Sequence, residues 1–135
     1  EPIPGLPRIE LNTIDRHTPL EVNGVRIQPI GIWHGRLPIL GFRFGPITYL
    51  TDVKTIDPEE LEKLAGTRYL IINALRHRSH RTHLNMEEAF ALIERIGAEK
   101  TWITHVSHEM GLAKSVAAAL PPGVELGYDG LEIGL

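Results

Sequence analysis

Apolar and polar residues alternate along the first part of the chain with the period of two that is typical of β-strands. Residues 8–14 and 25–33 both follow this pattern and are predicted to form strands. Asn23-Gly24 lies between two β-prone stretches and predicts a two-residue hairpin turn. Pro29 lacks the N–H that a central strand needs, so its strand is expected at a sheet edge or at a bulge.

Further along the chain, turn and capping residues predict a second hairpin and then a helix. Gly45-Pro46 separates residues 40–44 from residues 47–51, and both segments have strand character. Asp57 has the side chain of a helix N-cap and is followed by a proline at the first helical position. This helix should end near Gly66.

In the rest of the chain, predicted strands alternate with predicted helices. Residues 68–74 form an apolar run of strand length, the kind that is buried on both faces of a parallel sheet. Asn85 and Glu88 form a capping box, and Gly97 ends the helix that it opens. The remaining predictions are a strand at 100–104, a helix at 112–120 and a final strand pair at 124–133.

Together these elements predict an α/β protein. An antiparallel block of strands is followed by β-α-β-α-β units, which makes a sheet with helices packed on it. No repeat, low-complexity tract or linker divides the 135 residues into two domains. Residues 1–7 carry three prolines and predict an extended lead-in.

Composition narrows the classes of function. With 42% hydrophobic and 23% charged residues the chain has the make-up of a folded globular protein, and its net charge of −3 does not indicate a nucleic-acid partner. No apolar run approaches the roughly 18 residues of a membrane span and no signal peptide is visible, so we expect no membrane partner and a cytoplasmic location. The absence of cysteine excludes thiolate metal ligands. The chain starts without methionine, which suggests a processed chain or a piece of a larger protein.

Three potential metal ligands, His34, Asp52 and His105, each stand directly after a predicted strand. Because right-handed crossovers make the later strands parallel, Asp52 and His105 should emerge at the same edge of the sheet. Neutral imidazoles and a carboxylate suit zinc, manganese or iron. Taken singly, each residue is more often a turn, capping or surface residue. Because all three residues stand at strand ends, a metal site is as well supported as that plainer interpretation.

A cationic loop is predicted at the same sheet edge. Residues 76–83 hold three arginines and three histidines and come soon after the buried strand 68–74. Guanidinium groups bind phosphate oxygens in a bidentate way, so the loop suits a phosphate-bearing substrate. The alternative is a basic loop that is simply solvated. The arginines expected to bind substrate are Arg76, Arg78 and Arg81.

Among the histidines of this loop, His83 is the candidate for catalysis. It precedes the capping box by two residues, so it should be held at a helix N-terminus. From there it could protonate a leaving oxygen or steady a phosphoryl group. For His77 and His80 we prefer the plainer interpretation as solvated loop residues. Residues 105–109 lack the histidine spacing of zinc-protease helices.

Five short motifs, taken in their order and spacing, resemble the metallo-β-lactamase fold hydrolases. Within that superfamily the chain looks closest to the cyclic phosphodiesterases that act on phosphoribosyl 1,2-cyclic phosphate, a branch related to tRNA 3′-processing endonucleases. The resemblance runs from about Pro4 to the last residue. The motifs are Trp33-His34-Gly35, Tyr49-Leu50-Thr51-Asp52, Asn73-Ala74-Leu75-Arg76, Thr82-His83-Leu84 and Thr104-His105-Val106-Ser107-His108.

This resemblance implies a hydrolase that uses two divalent metal ions, zinc or manganese. His34 would ligate one ion, His105 would ligate the other, and Asp52 would bridge them. A hydroxide between the ions would attack the phosphorus of a small cyclic phosphate ester. His83 would help with substrate or leaving-group protonation. The resemblance implies that His108 and Asp129 at most contact and orient the metal ligands, without binding an ion themselves.

The chain departs from the family in one large respect. The family's His-x-His-x-Asp-His motif supplies four further ligands and is absent here. The resemblance therefore implies the C-terminal half of a four-layer αβ/βα sandwich, with a mixed sheet and helices on one face. The expected partner is the missing N-terminal half. Alone, the chain should be inactive, because three ligands shared by two ions leave both sites incomplete.

Two other functions stay open. A nuclease of the tRNA-processing type would direct the loop 76–83 toward RNA. The mild acidity of the chain and the lack of aromatic residues in that loop argue against a nucleic-acid partner. The second alternative is a non-catalytic half-domain that pairs with another chain or with itself as a homodimer.

Overall fold

The computed structural model describes residues 9–134, which form a seven-stranded sheet with α-helices. The strands lie in the sheet in sequence order. They are β1 (Leu20–Val22), β2 (Val25–His34), β3 (Leu37–Phe44), β4 (Ile47–Leu50), β5 (Tyr69–Asn73), β6 (Lys100–Thr104) and β7 (Val124–Leu126). The helices are α1 (Pro58–Leu61), α2 (Met86–Ile96) and α3 (Ala113–Ala119), and 3₁₀ turns span Glu62–Leu64 and His108–Met110. Within residues 9–134, no helix is long and apolar enough to cross a membrane.

Both predicted hairpins are present, and they build the antiparallel part of the sheet, from β1 to β4. Asn23 and Gly24 adopt φ angles of 51° and 79°, as a two-residue turn between twisted strands requires. β1 pairs with β2 only as far as Ile27, so Pro29 lies where β2 is an outer strand. This is the edge position that its missing N–H predicted.

The second part of the sheet is parallel, and its helices begin and end where the sequence predicted. β4, β5, β6 and β7 run in one direction and are connected through α1, α2 and α3. Asn85 and Glu88 form the expected capping box of α2, and Gly97 ends that helix in the left-handed conformation. Asp57 makes no cap hydrogen bond. Instead, its carboxylate accepts a hydrogen bond from Nε1 of Trp33 at 3.0 Å, which ties α1 to β2.

Two predicted strands are not formed. Residues 9–14 have no regular secondary structure, and Ile9 and Leu11 are 77% and 91% exposed, because no strand lies beside them. Arg8 and the proline-rich lead-in fall outside the described residues. At the other end, the strand after β7 is absent: Gly127 donates one last hydrogen bond to Ile103, and the chain then turns. In both segments apolar and polar residues alternate as in a strand, but no neighbouring strand is present to pair with them.

The core lies between the sheet and the helices, so the two faces of the sheet differ. The helices and the buried strand positions belong to one hydrophobic cluster. On the sheet, its fully buried members include Ile30, Ile32, Leu50, Leu70, Ile72 and Ile103. By register the opposite face presents Ile27, Pro29, Phe42, Phe44, Ile47, Tyr49, Tyr69, Ile71 and Trp102. Pro29 and Trp102 are buried, and the others are exposed or half-buried. Tyr128, Leu131 and Ile133 line a cavity together with Ile71 and Trp102, so this face, which we call the open face, is apolar and aromatic and only partly covered.

The close packing of β3 on β4 predicts the effect of a single methyl group. A β-carbon on Gly41 would lie 2.6 Å from Cδ2 of Leu50 and 3.1 Å from the carbonyl oxygen of Tyr49. Gly41→Ala should therefore lower the free energy of unfolding by about 1–3 kcal/mol, measured by urea denaturation. Gly134→Ala is the matched control, because its added methyl meets open space. Equal stability of the two variants would contradict this packing.

Candidate metal centre

Four polar side chains meet at one edge of the sheet, as the strand directions predicted. His34 ends β2, Asp52 follows β4, His105 follows β6, and His83 lies just before α2. Asp52 and His105 have φ angles of 59° and 56°. A side chain in this left-handed region costs about 1–2 kcal/mol, so these turns persist only because the surrounding structure fixes them.

The imidazole and carboxylate atoms of this cluster are within hydrogen-bond distance of one another. Nε2 of His83 lies 3.0 Å from Oδ1 of Asp52, and Nε2 of His105 lies 3.3 Å from the same oxygen. The two Nε2 atoms are 3.1 Å apart. The ring of His34 packs edge-on against the ring of His83, with centroids 4.5 Å apart. One oxygen of Asp52 therefore lies at the centre of the group.

A chain of backbone hydrogen bonds connects the loops that carry these side chains. The N–H of Leu84, next to His83, donates to the carbonyl of Val53, next to Asp52, at 3.0 Å. The carbonyl of Leu84 accepts from Leu75, whose own carbonyl accepts from Ser107, each at 2.9 Å. The relative positions of the three loops are thus set by main-chain contacts rather than by the side chains of the cluster.

A buried amide reinforces the first of these connections. Asn73 is fully buried at the end of β5. Its Oδ1 accepts from the N–H of Val53 at 2.8 Å, and its Nδ2 donates to the carbonyl of Val53 at 3.1 Å. Both hydrogen bonds fix the turn that contains Asp52. Sequence analysis quoted Asn73 only as part of a motif, although a polar amide closing an apolar strand already indicates a buried hydrogen-bonding role.

The surroundings of the cluster lower the pKa of both Asp52 and His83. Burial raises the pKa of Asp52, but the hydrogen bond from His83 and the nearby imidazoles outweigh it, so the pKa lies below the ordinary value. Burial lowers the pKa of His83, and the imidazoles of His105 and His34 add to this, against the opposing effect of Asp52. An ionised carboxylate beside neutral imidazoles is the state that metal ions require.

The residues present fit a divalent metal ion. Nδ1 of His34 is buried without a hydrogen-bond partner among the described residues, and a bound ion or water would satisfy such an atom. His34, Asp52 and His83 each offer a ligand atom within 4.8 Å of the others. The resemblance assigns His105 rather than His83 to the metal. Nε2 of each of these two histidines lies within 3.3 Å of Oδ1 of Asp52.

Two of the three arginines that were expected to bind substrate contact a carboxylate of the chain itself. Nη1 of Arg76 lies 2.6 Å from Oε2 of Glu109, and Nη2 of Arg78 lies 3.4 Å from Oε1. The hydrogen bond from Arg76 holds the pKa of Glu109 below its ordinary value. Arg81 is exposed, and no ion pair involves it among the described residues. The loop 76–83 is therefore tied to the 3₁₀ turn His108–Met110.

The two residues expected in a supporting place do not touch the cluster. His108 and Asp129 are both exposed. Within residues 9–134, no hydrogen bond or ion pair connects either of them to His34, Asp52 or His105. Asp129 lies in the turn that the N–H of Leu131 closes onto the carbonyl of Tyr128. A turn accounts for Asp129 without any role in chemistry.

Sequence analysis missed two contacts of His83. Oγ1 of Thr82 lies 2.9 Å from Nδ1 of His83. Nδ1 of His80, which had been interpreted as a solvated loop residue, lies 3.1 Å from the same atom. Of the two loop histidines set aside, only His77 is exposed. A hydroxyl and an imidazole so close in sequence to His83 are common in loops, and nothing in the residue pattern distinguishes them.

Comparisons with known proteins agree with this geometry. The model of a family described as the β-lactamase superfamily domain matches residues 1–106. A crystal structure of a diphosphatase from the PhnP family has a TM-score of 0.84 and 34% identity, over 88% of this chain and 47% of that chain. A crystal structure of human tRNase Z, short form, has a TM-score of 0.66 at 17% identity, over 85% of this chain and 44% of that chain.

A curated relative extends the comparison. A Porphyromonas gingivalis protein named octanoyltransferase is 41% identical over 132 residues, which are 97% of this chain and 27% of that protein. The chain thus spans about a quarter of this relative and just under half of the two solved structures.

The lowered pKa of His83 predicts part of the pH dependence of stability. Because the folded state binds this proton at a lower pH than the unfolded state, stability falls as the pH drops below about 6.5 toward the folded pKa. His83→Gln should flatten this decline in urea denaturation at a series of pH values. The control His77→Gln changes an exposed histidine and should leave the profile as it is. An unchanged profile in His83→Gln would contradict the burial of this ring.

Proposed function

The chain belongs to the β-lactamase superfamily domain family, and we propose that it supplies one half of the active site of a metal-dependent phosphodiesterase that cleaves a small cyclic phosphate ester. The observation that carries this proposal is the cluster at the strand ends in which His83 and His105 contact Oδ1 of Asp52 and the ring of His34 packs against His83. The similarity to a diphosphatase supports chemistry at a phosphate.

In the proposed site, His34 and His105 would each hold one ion, and Asp52 would hold both. The position of Asp52 supports this role, because its Oδ1 lies 3.3 Å from Nε2 of His105 and a carboxylate oxygen lies within 4.8 Å of a ring nitrogen of His34. When bound, divalent ions such as zinc or manganese would activate a water molecule and stabilise negative charge at the phosphate. The main-chain hydrogen bonds between the loops hold the ligands in place.

His83 is the proposed catalytic residue. Its Nε2 faces Asp52 and His105, so it would lie next to a phosphate bound there. Nε2 of the neutral ring, which donates to Asp52, would instead donate a hydrogen bond to a phosphoryl or leaving oxygen bound there. Arg81 is the arginine of the loop with no ion pair among the described residues, and it is the proposed contact to substrate. Arg76 and Arg78 form ion pairs with Glu109, so each would bind substrate only while it also contacts Glu109.

The proposed partner is the other half of the fold, on the same or on another polypeptide. His34, Asp52 and His105 alone leave two ions short of ligands, so the remaining ligands must come from elsewhere. The open face offers a surface of half-buried aromatic and aliphatic side chains, of which Tyr49 is 39% exposed. Uncovered apolar surface of this kind marks an interaction site. We call the chain together with this half the assembled protein.

Two other activities are weighed against this proposal. The tRNase Z fold likeness keeps RNA cleavage as an alternative, although two arginines of the loop are already paired with Glu109. The octanoyltransferase name belongs to a protein of which this chain spans 27%, so it describes a much longer molecule.

Hydrolysis of bis-p-nitrophenyl phosphate by the assembled protein tests the proposed function. We expect turnover that is lost on treatment with a chelator and restored by manganese or zinc. His105→Ala should reduce turnover by about 100-fold or more, because one metal site loses a ligand. His108→Ala is the matched control, since it removes an exposed histidine three positions away. Retained activity in His105→Ala would overturn the assignment, and cleavage confined to RNA would favour the nuclease.

Sedimentation of this chain without metal tests the proposed partner. We expect it to associate through the open face, either with the other half of the fold or with a second copy. Tyr49→Lys should weaken this association, because it places a charge in the apolar face. Leu112→Lys is the control, since Leu112 is 78% exposed and lies just before α3. A stable, soluble monomer of the unaltered chain would contradict the proposed half-fold.

A further inference from the structure

Thr82 lies between the turn that follows His34 and the ring of His83. On one side, its Oγ1 is 2.9 Å from Nδ1 of His83. On the other side, its methyl carbon is so close to Gly35 that a β-carbon there would come within 2.8 Å of it. Gly35 has a φ of 65°, in the turn between β2 and β3. The two ends of one small side chain therefore contact two different parts of the site.

The direction of the hydrogen bonds around His83 follows from the chemistry of its partners. An ionised carboxylate only accepts, so Nε2 of a neutral His83 donates to Asp52. Nδ1 is then an acceptor. Nδ1 of His80, 3.1 Å away, itself accepts from the backbone N–H of Thr82, so the hydroxyl of Thr82 is the donor to His83. A hydroxyl can also accept, so it remains a suitable partner when the ring changes state. Turning the ring by half a turn would place a carbon against Oγ1 and lose this hydrogen bond.

We propose that Thr82 is a positioning residue for His83. Its hydroxyl selects one orientation of the imidazole ring and so directs Nε2 at the reacting phosphate. Its methyl group contacts the Gly35 turn, which adds packing but is not part of this role. The role rests on the proposed function of His83, but the contact itself is a property of this chain.

Two substitutions separate the two ends of the side chain. Thr82→Val keeps the shape and removes the hydroxyl, whereas Thr82→Ser keeps the hydroxyl and removes the methyl group. In the assembled protein, Thr82→Val should lower kcat for bis-p-nitrophenyl phosphate by about 10- to 100-fold, the usual effect of losing a residue that orients a functional histidine. KM and metal content should change little. Thr82→Ser should retain most of kcat.

A spectroscopic measurement tests the contact without activity. In the metal-free assembled protein with ¹⁵N-labelled histidine, the Nδ1 resonance of His83 should move in Thr82→Val to the position of an acceptor without a hydrogen bond. It should stay in place in Thr82→Ser. Thermal unfolding of both variants provides the check that each is folded.

The outcomes are distinct. Wild-type kcat and an unmoved Nδ1 resonance in Thr82→Val would overturn the positioning role. An equal loss of kcat in Val and Ser variants would also overturn it, because general packing would then explain the effect. If the unaltered protein fails to hydrolyse phosphodiesters, the proposed function fails. In that case the ¹⁵N comparison still decides whether Thr82 orients His83.

Discussion

The paired hydrogen bonds between the side chain of Asn73 and the backbone of Val53 are the constraint on which the rest of the site depends. A fully buried amide at the end of β5 binds both the N–H and the carbonyl of the residue that follows Asp52. The same carbonyl accepts from Leu84, so the loop of His83 is positioned by the same peptide group. Desolvated polar groups are costly unless paired, and here the pairing specifies one geometry.

These hydrogen bonds explain how the fold maintains the cluster around Asp52, although its local backbone and side-chain geometry are unfavourable. Asp52 and His105 both have left-handed backbones, and three imidazoles crowd a single carboxylate. Each feature costs free energy, and each becomes useful when a cation is held between the side chains. The buried core on the helix side supplies the rigidity. The open face on the other side carries aromatic and aliphatic side chains such as Tyr49, which is 39% exposed.

Local rules were enough to predict most of the fold. The Asn23-Gly24 turn, the Asn85 capping box and the apolar run of β5 are specified by a few neighbouring residues each, and all three are present. Residues 9–14 show where such rules fail, because alternation predicts a strand only if another strand lies beside it. The convergence of Asp52 and His105 was predictable from strand direction. The roles of Asn73 and Thr82 were not, because they arise from contacts between separate loops.

We propose that His34, Asp52 and His105 bind two metal ions while His83 remains free to contact the substrate. Anomalous X-ray diffraction from crystals of the assembled protein grown with manganese tests this arrangement. We expect two anomalous peaks on either side of the Asp52 carboxylate, one beside His34 and one beside His105, with no ligand bond to His83. Peaks ligated by His83 in place of His105, or no ordered metal at Asp52, would contradict it.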